Sequence, residues 1–166
     1  RDDAGNKNSV GFFVGTNYGI SAPVYEDWLG YPPSVYDMEN LSKTTAQQIF
    51  KKNYWHKLNA GFINSQAVAE TLVDHGINAG TGTAAKIMQR VLNEQFGFNL
   101  AIDGAIGPIS LKAINSVDAS ELFYQFNIQR IEDYKTKRNA AGWLDVWINR
   151  VKRITKKFGG SLKKKQ

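Results

Sequence analysis

The polar side chains whose types and spacing could do chemistry fall in three short stretches. The first is "SQAVAETLVDHGINAG" (65–80), where Asp74 and Asn78 stand four residues apart. On a helix that spacing brings both to one face, where a carboxylate and an amide can hydrogen-bond the same polar ligand. Drawn as a wheel, Val68, Ala69 and Leu72 share one side, and Glu70, Thr71, Asp74 and Asn78 share another stripe. Such a stripe is either a solvated face or a binding wall. The Gly-rich end "GINAGTG" and the nearby aromatics of "NYW" favour the wall. The second stretch is "TNYGIS" (16–21): Thr16, Asn17 and Tyr18 supply uncharged donors and acceptors, and Gly19 lets the backbone approach closely. These groups suit sugar hydroxyls and acetamides, although an ordinary turn with a core tyrosine has the same composition. The third is "YWHK" (54–57), where Tyr54 and Trp55 offer a platform for a sugar ring or an anchor for the core.

Other chemistries are poorly supplied. With no cysteine, disulfides, thiol catalysis and Cys-ligated metals are excluded. His56 and His75 lack metal-ligand spacing to each other or to a carboxylate pair, so neither a metal nor a cofactor is expected. Removing the five lysines of the tail "KKFGGSLKKKQ" (156–166) from the net charge of +6 leaves a nearly neutral body. The tail reads as a soluble end or as an attraction to a polyanion. Because no basic stripe interleaved with aromatics accompanies it, nucleic acid is disfavoured as a partner.

Elements must hold these groups in place. The first forty residues are rich in Gly, Asn, Tyr and Pro and read as loops with short extended pieces. The paired prolines of "DWLGYPPSVYD" (27–37) bar a helix interior. Beyond them the pattern is helical. One helix is predicted over 42–58, with Thr44 and Gln47 as a capping box and Ala46, Ile49, Phe50 and Tyr54 at helical spacing. Another lies over 65–80, and a third over 83–97, with Ala84, Ile87, Met88, Val91, Leu92 and Phe96 on one stripe and Gly97 as its stop. A turn at 102–108 leads through Pro108 into "ISLKAINSV", and helices follow near 119–138 and 143–158, the last with Trp143 and Trp147 in packing positions. With 9 Phe, 7 Tyr and 4 Trp the chain can build a core, and no apolar run approaches a bilayer span of ~20 residues. No signal peptide is legible. The fold class is mainly α with an irregular N-terminal lobe.

Taken in order, "TNYGIS", "KKNYWHKL", "VDHGINAGTGTAAKIMQRVLN", "IDGAIGPISLKAIN" and "GWLDVWINRV" resemble the glycoside hydrolase family 108 muramidases, also called a secretion-activator group. Each motif is weak alone, but five in order over nearly the whole chain make a specific signal. The resemblance implies a lysozyme-like fold over 1–97, a peptidoglycan-binding helical module over 98–158 and a basic tail at 159–166. It also implies hydrolysis of the β-1,4 bond between N-acetylmuramic acid and N-acetylglucosamine. The partner would be bacterial peptidoglycan, met by a phage-encoded or virion-associated endolysin or by a protein exported to the wall or periplasm.

Carried over residue by residue, the family's "TNYGIT" is similar to Thr16–Ser21, and its Asp and Asn before a glycine to Asp74, Asn78 and Gly80. Its "DG-x-x-G-P-x-T" turn is similar to Asp103–Ser110, with serine for threonine. "GWLDVWINR" resembles the family's "GWLNR" with an interruption. The family's catalytic Glu, in a Glu-Gly-Gly-aromatic motif, is expected upstream of Arg1, with Asp2 or Asp3 as the loop aspartate that follows it; an N-terminal segment or a second chain would supply it. Asp2, Asp3, Glu26, Asp27 and Glu70 lack the apolar setting that keeps a carboxyl protonated for glycoside cleavage. The expected substrate-binding set is therefore Thr16, Asn17, Tyr18, Tyr54, Trp55, Asp74 and Asn78, with Asp74 holding substrate or water and not donating the proton. The competing expectation is an inactive peptidoglycan-binding or structural module that keeps the fold.

Overall fold

The computed structural model describes residues 4–136 and 140–158. Asp2, Asp3, the Trp143 side chain and the basic tail at 159–166 lie outside the described residues. The chain divides into two compact units, Arg1–Asn53 and Tyr54–Gln166. The architecture is mainly α, with one two-stranded sheet among the described residues.

In the first unit, β1 (Thr16–Asn17) pairs antiparallel with β2 (Ile20–Ser21), Thr16 opposite Ser21 and Asn17 opposite Ile20. Tyr18 and Gly19 turn the chain between them at φ +48° and +76°, the left-handed pair that a tight two-residue hairpin needs. Two helices then form where loops were expected. α1 (Ala22–Leu29) starts with a proline in its first turn and stops at Gly30, whose left-handed backbone returns its N–H to the Glu26 carbonyl. α2 (Val35–Glu39) is set by a capping box: the Asp37 N–H donates to Ser34 Oγ (3.1 Å) and the Ser34 N–H donates to Asp37 Oδ2 (2.8 Å). Both helices are short enough for their caps to decide them, and a loop-like composition hid that. The paired prolines do fall between the two helices.

α3 (Lys43–Phe50) begins at Ser42, whose hydroxyl accepts the Thr45 N–H at 3.0 Å, so the expected Thr44–Gln47 box is replaced by a cap two residues earlier. The predicted helix over 42–58 also changes form, passing into a π-turn over Lys51–His56. Val14, Ile20, Tyr25, Met38, Leu41 and Ile49 form the core of this unit.

In the second unit, α4 (Gln66–Ala79) is capped by Ser65, and α5 (Thr81–Phe96) ends at the left-handed Gly97. α6 (Pro108–Ser116), α7 (Ala119–Thr136) and α8 (Ala140–Phe158) complete it. Val68, Ala69 and Leu72 of α4 meet the predicted α5 stripe and the α7 residues Leu122, Phe123 and Phe126 in one core. At Gly76 a Cβ would lie 3.0 Å from Leu58 Cδ1, so glycine leaves room for the Leu58 side chain against α4. Gly97, the expected division point, caps α5 inside this unit. No described helix is long and apolar enough to cross a membrane.

The turn before α6 hangs on one buried side chain. Gln89 Nε2 donates to Asp103 Oδ1 (2.8 Å) and to the Ala105 carbonyl (2.9 Å), while its Oε1 accepts the Gly104 N–H (3.1 Å). The Gln89 amide and the Ala105 N–H hold the Asp103 carboxyl below its ordinary range.

Candidate functional site

Thr16, Asn17 and Tyr18 come together on the hairpin of the first unit. Thr16 Oγ1 donates to Asn6 Oδ1 (2.7 Å) and Asn17 Nδ2 to the Met38 carbonyl (2.8 Å), while Asn17 Oδ1 accepts the Tyr18 N–H (2.9 Å). Their polar groups therefore shape the hairpin, and the Tyr18 ring projects from its tip, 53% exposed. A tyrosine at positive φ costs about 1–3 kcal/mol and persists only where its surroundings impose it. Phe12, Phe13, Tyr31 and Tyr36 are likewise more than half exposed on this unit. Flat exposed rings of this kind suit the apolar faces of sugars.

Asp74 lies in the second unit, in a network that reaches three helices. Arg130 Nη2 of α7 donates to Asp74 Oδ2 and Arg150 Nε of α8 donates to Oδ1, both at 2.6 Å. Arg130 is completely buried. Its Nη1 also donates to Thr71 Oγ1 (2.9 Å) and its Nη2 to Tyr134 Oη (3.1 Å), while Thr71 in turn donates to Asn127 Oδ1 (2.8 Å). A buried guanidinium needs its charge met, and here a carboxylate, a phenol and a hydroxyl engage its two Nη groups, while Nε is buried without a hydrogen-bond partner among the described residues. Asn78 Nδ2 donates to the Asp74 carbonyl (3.0 Å) and lies 3.4 Å from Tyr134 Oη. Tyr134 stacks on Trp147 with centroids 5.0 Å apart, so Trp147 occupies the packing position expected of it.

The polar stripe of α4 is thus no open face: Thr71 is fully buried, and Asp74 is 14% exposed beneath the two arginines. Asp74 and Asn78 do stand side by side, as their spacing requires, and each is engaged by the protein's own groups. Arg130, Arg150 and Tyr134 were not singled out in the sequence. The signal for them was present: Asn127, Arg130 and Tyr134 recur at i, i+3 and i+7 on α7, a polar stripe that matches the one on α4.

Asp74 still touches solvent, because it lines a cleft of about 370 Å³ with Trp55, Glu70, Val73, Ile77 and residues of α8. Trp55 and Asp74 therefore line one cleft. Tyr54 sits beside Trp55 on the π-turn, a helical distortion frequent at functional sites. Burial disfavours ionisation of Glu70, but hydrogen bonds from Lys157 and Gln66 and the charge of Lys157 outweigh it and lower its pKa. Asp37 is lowered too, by the Ser34 hydroxyl and N–H. Asp37, Glu70 and Asp103 are thus all pushed in the direction opposite to that of a general acid.

Residues 1–80 match the family described as Glycosyl hydrolase 108, and residues 83–152 match the family described as Predicted Peptidoglycan domain. Among solved structures, SagA of Brucella abortus is similar: the TM-score is 0.75 at 25% identity, covering 92% of this chain and 84% of that one. No curated protein sequence matches the chain.

Proposed function

From a chain whose residues 1–80 match the glycosyl hydrolase 108 family and whose residues 83–152 match a predicted peptidoglycan domain, we propose an N-acetylmuramidase. The coarse assignment, a glycosidase acting on peptidoglycan, is the premise; the bond is the proposal. The reaction is hydrolysis of the β-1,4 link from N-acetylmuramic acid to N-acetylglucosamine, at the bacterial wall, by a phage-borne or exported protein. The observation that carries this reading is the order of the two matches: a glycosidase region runs directly into a wall-binding region with two unmatched residues between them.

Glycoside hydrolysis needs a carboxyl group held protonated near neutral pH to donate to the leaving oxygen. We assign that role to the glutamate of the Glu-Gly-Gly-aromatic motif expected upstream of Arg1. Thr16, Asn17 and Tyr18 bind the glycan from the hairpin, and Tyr54 and Trp55 bind substrate from the π-turn. Asp74 and Asn78 act from α4, Asp74 through its exposed edge in the cleft and Asn78 by fixing the Asp74 backbone and Tyr134. An alternative reading, a wall-binding module without chemistry, is favoured by the lowered pKa values of Asp37, Glu70 and Asp103, which keep these carboxyls ionised and unable to donate a proton.

The test is reducing-end release from purified peptidoglycan by the 166-residue chain and by the same chain extended upstream through the glutamate. Borohydride reduction of the products, followed by mass spectrometry, identifies the new reducing end. Muramitol from the extended protein, and its loss on Glu→Gln, is the expected result. Glucosaminitol would refute the bond assignment, and sedimentation with the wall without any release from the extended protein would favour the binding module.

A further inference from the structure

The cleft between α4 and α8 presents a guanidinium that is unpaired among the described residues. No Ser, Thr, Asn or Gln lines it, so a ligand meets mainly charged groups and apolar walls. Its walls are the Trp55 ring and the aliphatic side chains of Val73, Ile77 and Ile154, and its polar side chains, apart from the Trp55 indole, are charged. Both carboxylates are already neutralised: Asp74 by Arg130 and Arg150, and Glu70 by Lys157 Nζ at 2.6 Å. Arg153 remains. It is exposed on the rim and has no ion-pair or hydrogen-bond partner among the described residues. A planar guanidinium beside short aliphatic surface is a receptor for a carboxylate, which it can hold through two parallel hydrogen bonds. The volume, about 370 Å³, lies near the lower end for small-molecule sites, roughly 300–1,000 Å³, and so admits a short segment and not a folded partner.

We propose that this cleft binds the carboxylate-bearing stem peptide of peptidoglycan, with Arg153 gripping a peptide carboxylate and Trp55, Ile77 and Ile154 packing against its short side chains. The proposal rests on the wall-directed reading above and adds to it a division of labour: the second unit reads peptide, leaving the glycan to other surfaces. Lys157 contributes as a neighbouring charge that Glu70 holds in position.

Isothermal titration of the 166-residue chain with a soluble disaccharide–peptide fragment, and with the same disaccharide whose lactyl carboxyl is capped as a methylamide in place of the peptide, tests this directly. The peptide-bearing fragment is expected to bind and the capped disaccharide to bind at least tenfold more weakly, the loss of a charge-assisted pair. Arg153→Gln should lower affinity for the peptide-bearing fragment about tenfold, and Arg153→Lys should recover only part of it, because an ammonium cannot form the two-pronged contact. Ile77→Glu, which puts a carboxylate on the cleft wall, should weaken the same fragment by like-charge repulsion. Circular dichroism of each variant excludes unfolding as the cause.

Equal binding of the two fragments, or wild-type affinity in Arg153→Gln, would overturn the peptide site while leaving wall binding intact. A poly(ribitol phosphate) fragment that binds where the peptide does not would reassign the cleft to a phosphate polymer. Failure of the wild-type chain to sediment with intact peptidoglycan would instead remove the wall-directed reading, and this inference with it.

Discussion

Replacing Asp74 with alanine isolates the physics of the three-helix network. Arg130 is completely buried, and Asp74 is its only anionic partner among the described residues. Breaking a buried pair by removing one partner costs about 3–5 kcal/mol, because the remaining charge stays desolvated. Three neutral acceptors remain for Arg130, namely Thr71 (2.9 Å), Tyr134 (3.1 Å) and Asn127 (3.3 Å), and they place the effect near the lower end. Arg150 is 38% exposed, so its pair with Asp74 adds only about 0–1 kcal/mol. The sum is about 3–4 kcal/mol, a large share of the 5–15 kcal/mol typical of a domain. A chain with two compact units need not unfold in one step, so the assay should report on the second unit alone. Amide exchange in α4 and α7 does so, and protection there should fall about 10²–10³-fold. Adding Arg130→Met to Asp74→Ala should restore at least about 1 kcal/mol, since the orphaned charge is then gone. Protection within threefold of wild type in the single variant, or a double variant weaker than the single, would refute the account.

Three further outcomes follow from the same geometry. Tyr18→Gly should leave the first unit no less stable, because glycine accepts φ +48° without strain, yet lower cosedimentation with peptidoglycan severalfold; unchanged cosedimentation would remove Tyr18 from the binding surface. Gln89→Leu should cost about 2 kcal/mol and raise exchange at Gly104 and Ala105, since a carbonyl, an N–H and a carboxylate lose their partner together. The folded pKa of Glu70 is depressed, so its contribution is fully present above the unfolded value of 4.5 and is lost as pH falls through the folded value. A carboxyl NMR titration should place the Glu70 midpoint below 4.5, and Lys157→Gln should move it upward; an unmoved midpoint would mean that the Lys157 contact does not form in solution.

What the sequence made legible is what short-range rules govern. The helices from 66 to 96 follow from one apolar stripe, one serine cap and one terminal glycine, all within a few turns of the residues they control. Similar local rules existed for α1 and α2, but the cap signals there, Ser34 with Asp37 and Gly30 after Leu29, sat among prolines and glycines that read as loop. Tyr18 at positive φ was not foreseeable from type, because aromatic residues rarely occupy that region; only the following glycine hinted at a hairpin.

The α4 stripe shows why a site is harder to read than a fold. Glu70, Thr71, Asp74 and Asn78 must share a face on any helix, but that face meets whatever the chain brings to it. Here it meets residues that lie 56 positions on in α7 and 76 positions on in α8. Spacing within one helix does not distinguish a ligand's hydrogen bonds from those of a distant arginine, since both present the same donors. The partner stripe on α7 could have been matched to α4 only by knowing that the two helices pack. One consequence is that the Asp74 network joins two regions that sequence families treat separately, for Asp74 lies in the glycosidase match and both arginines lie in the peptidoglycan-domain match. Substitutions at Arg130 should therefore be felt in α4, and a wall-binding variant in this network cannot be interpreted until stability and affinity have been measured on the same protein.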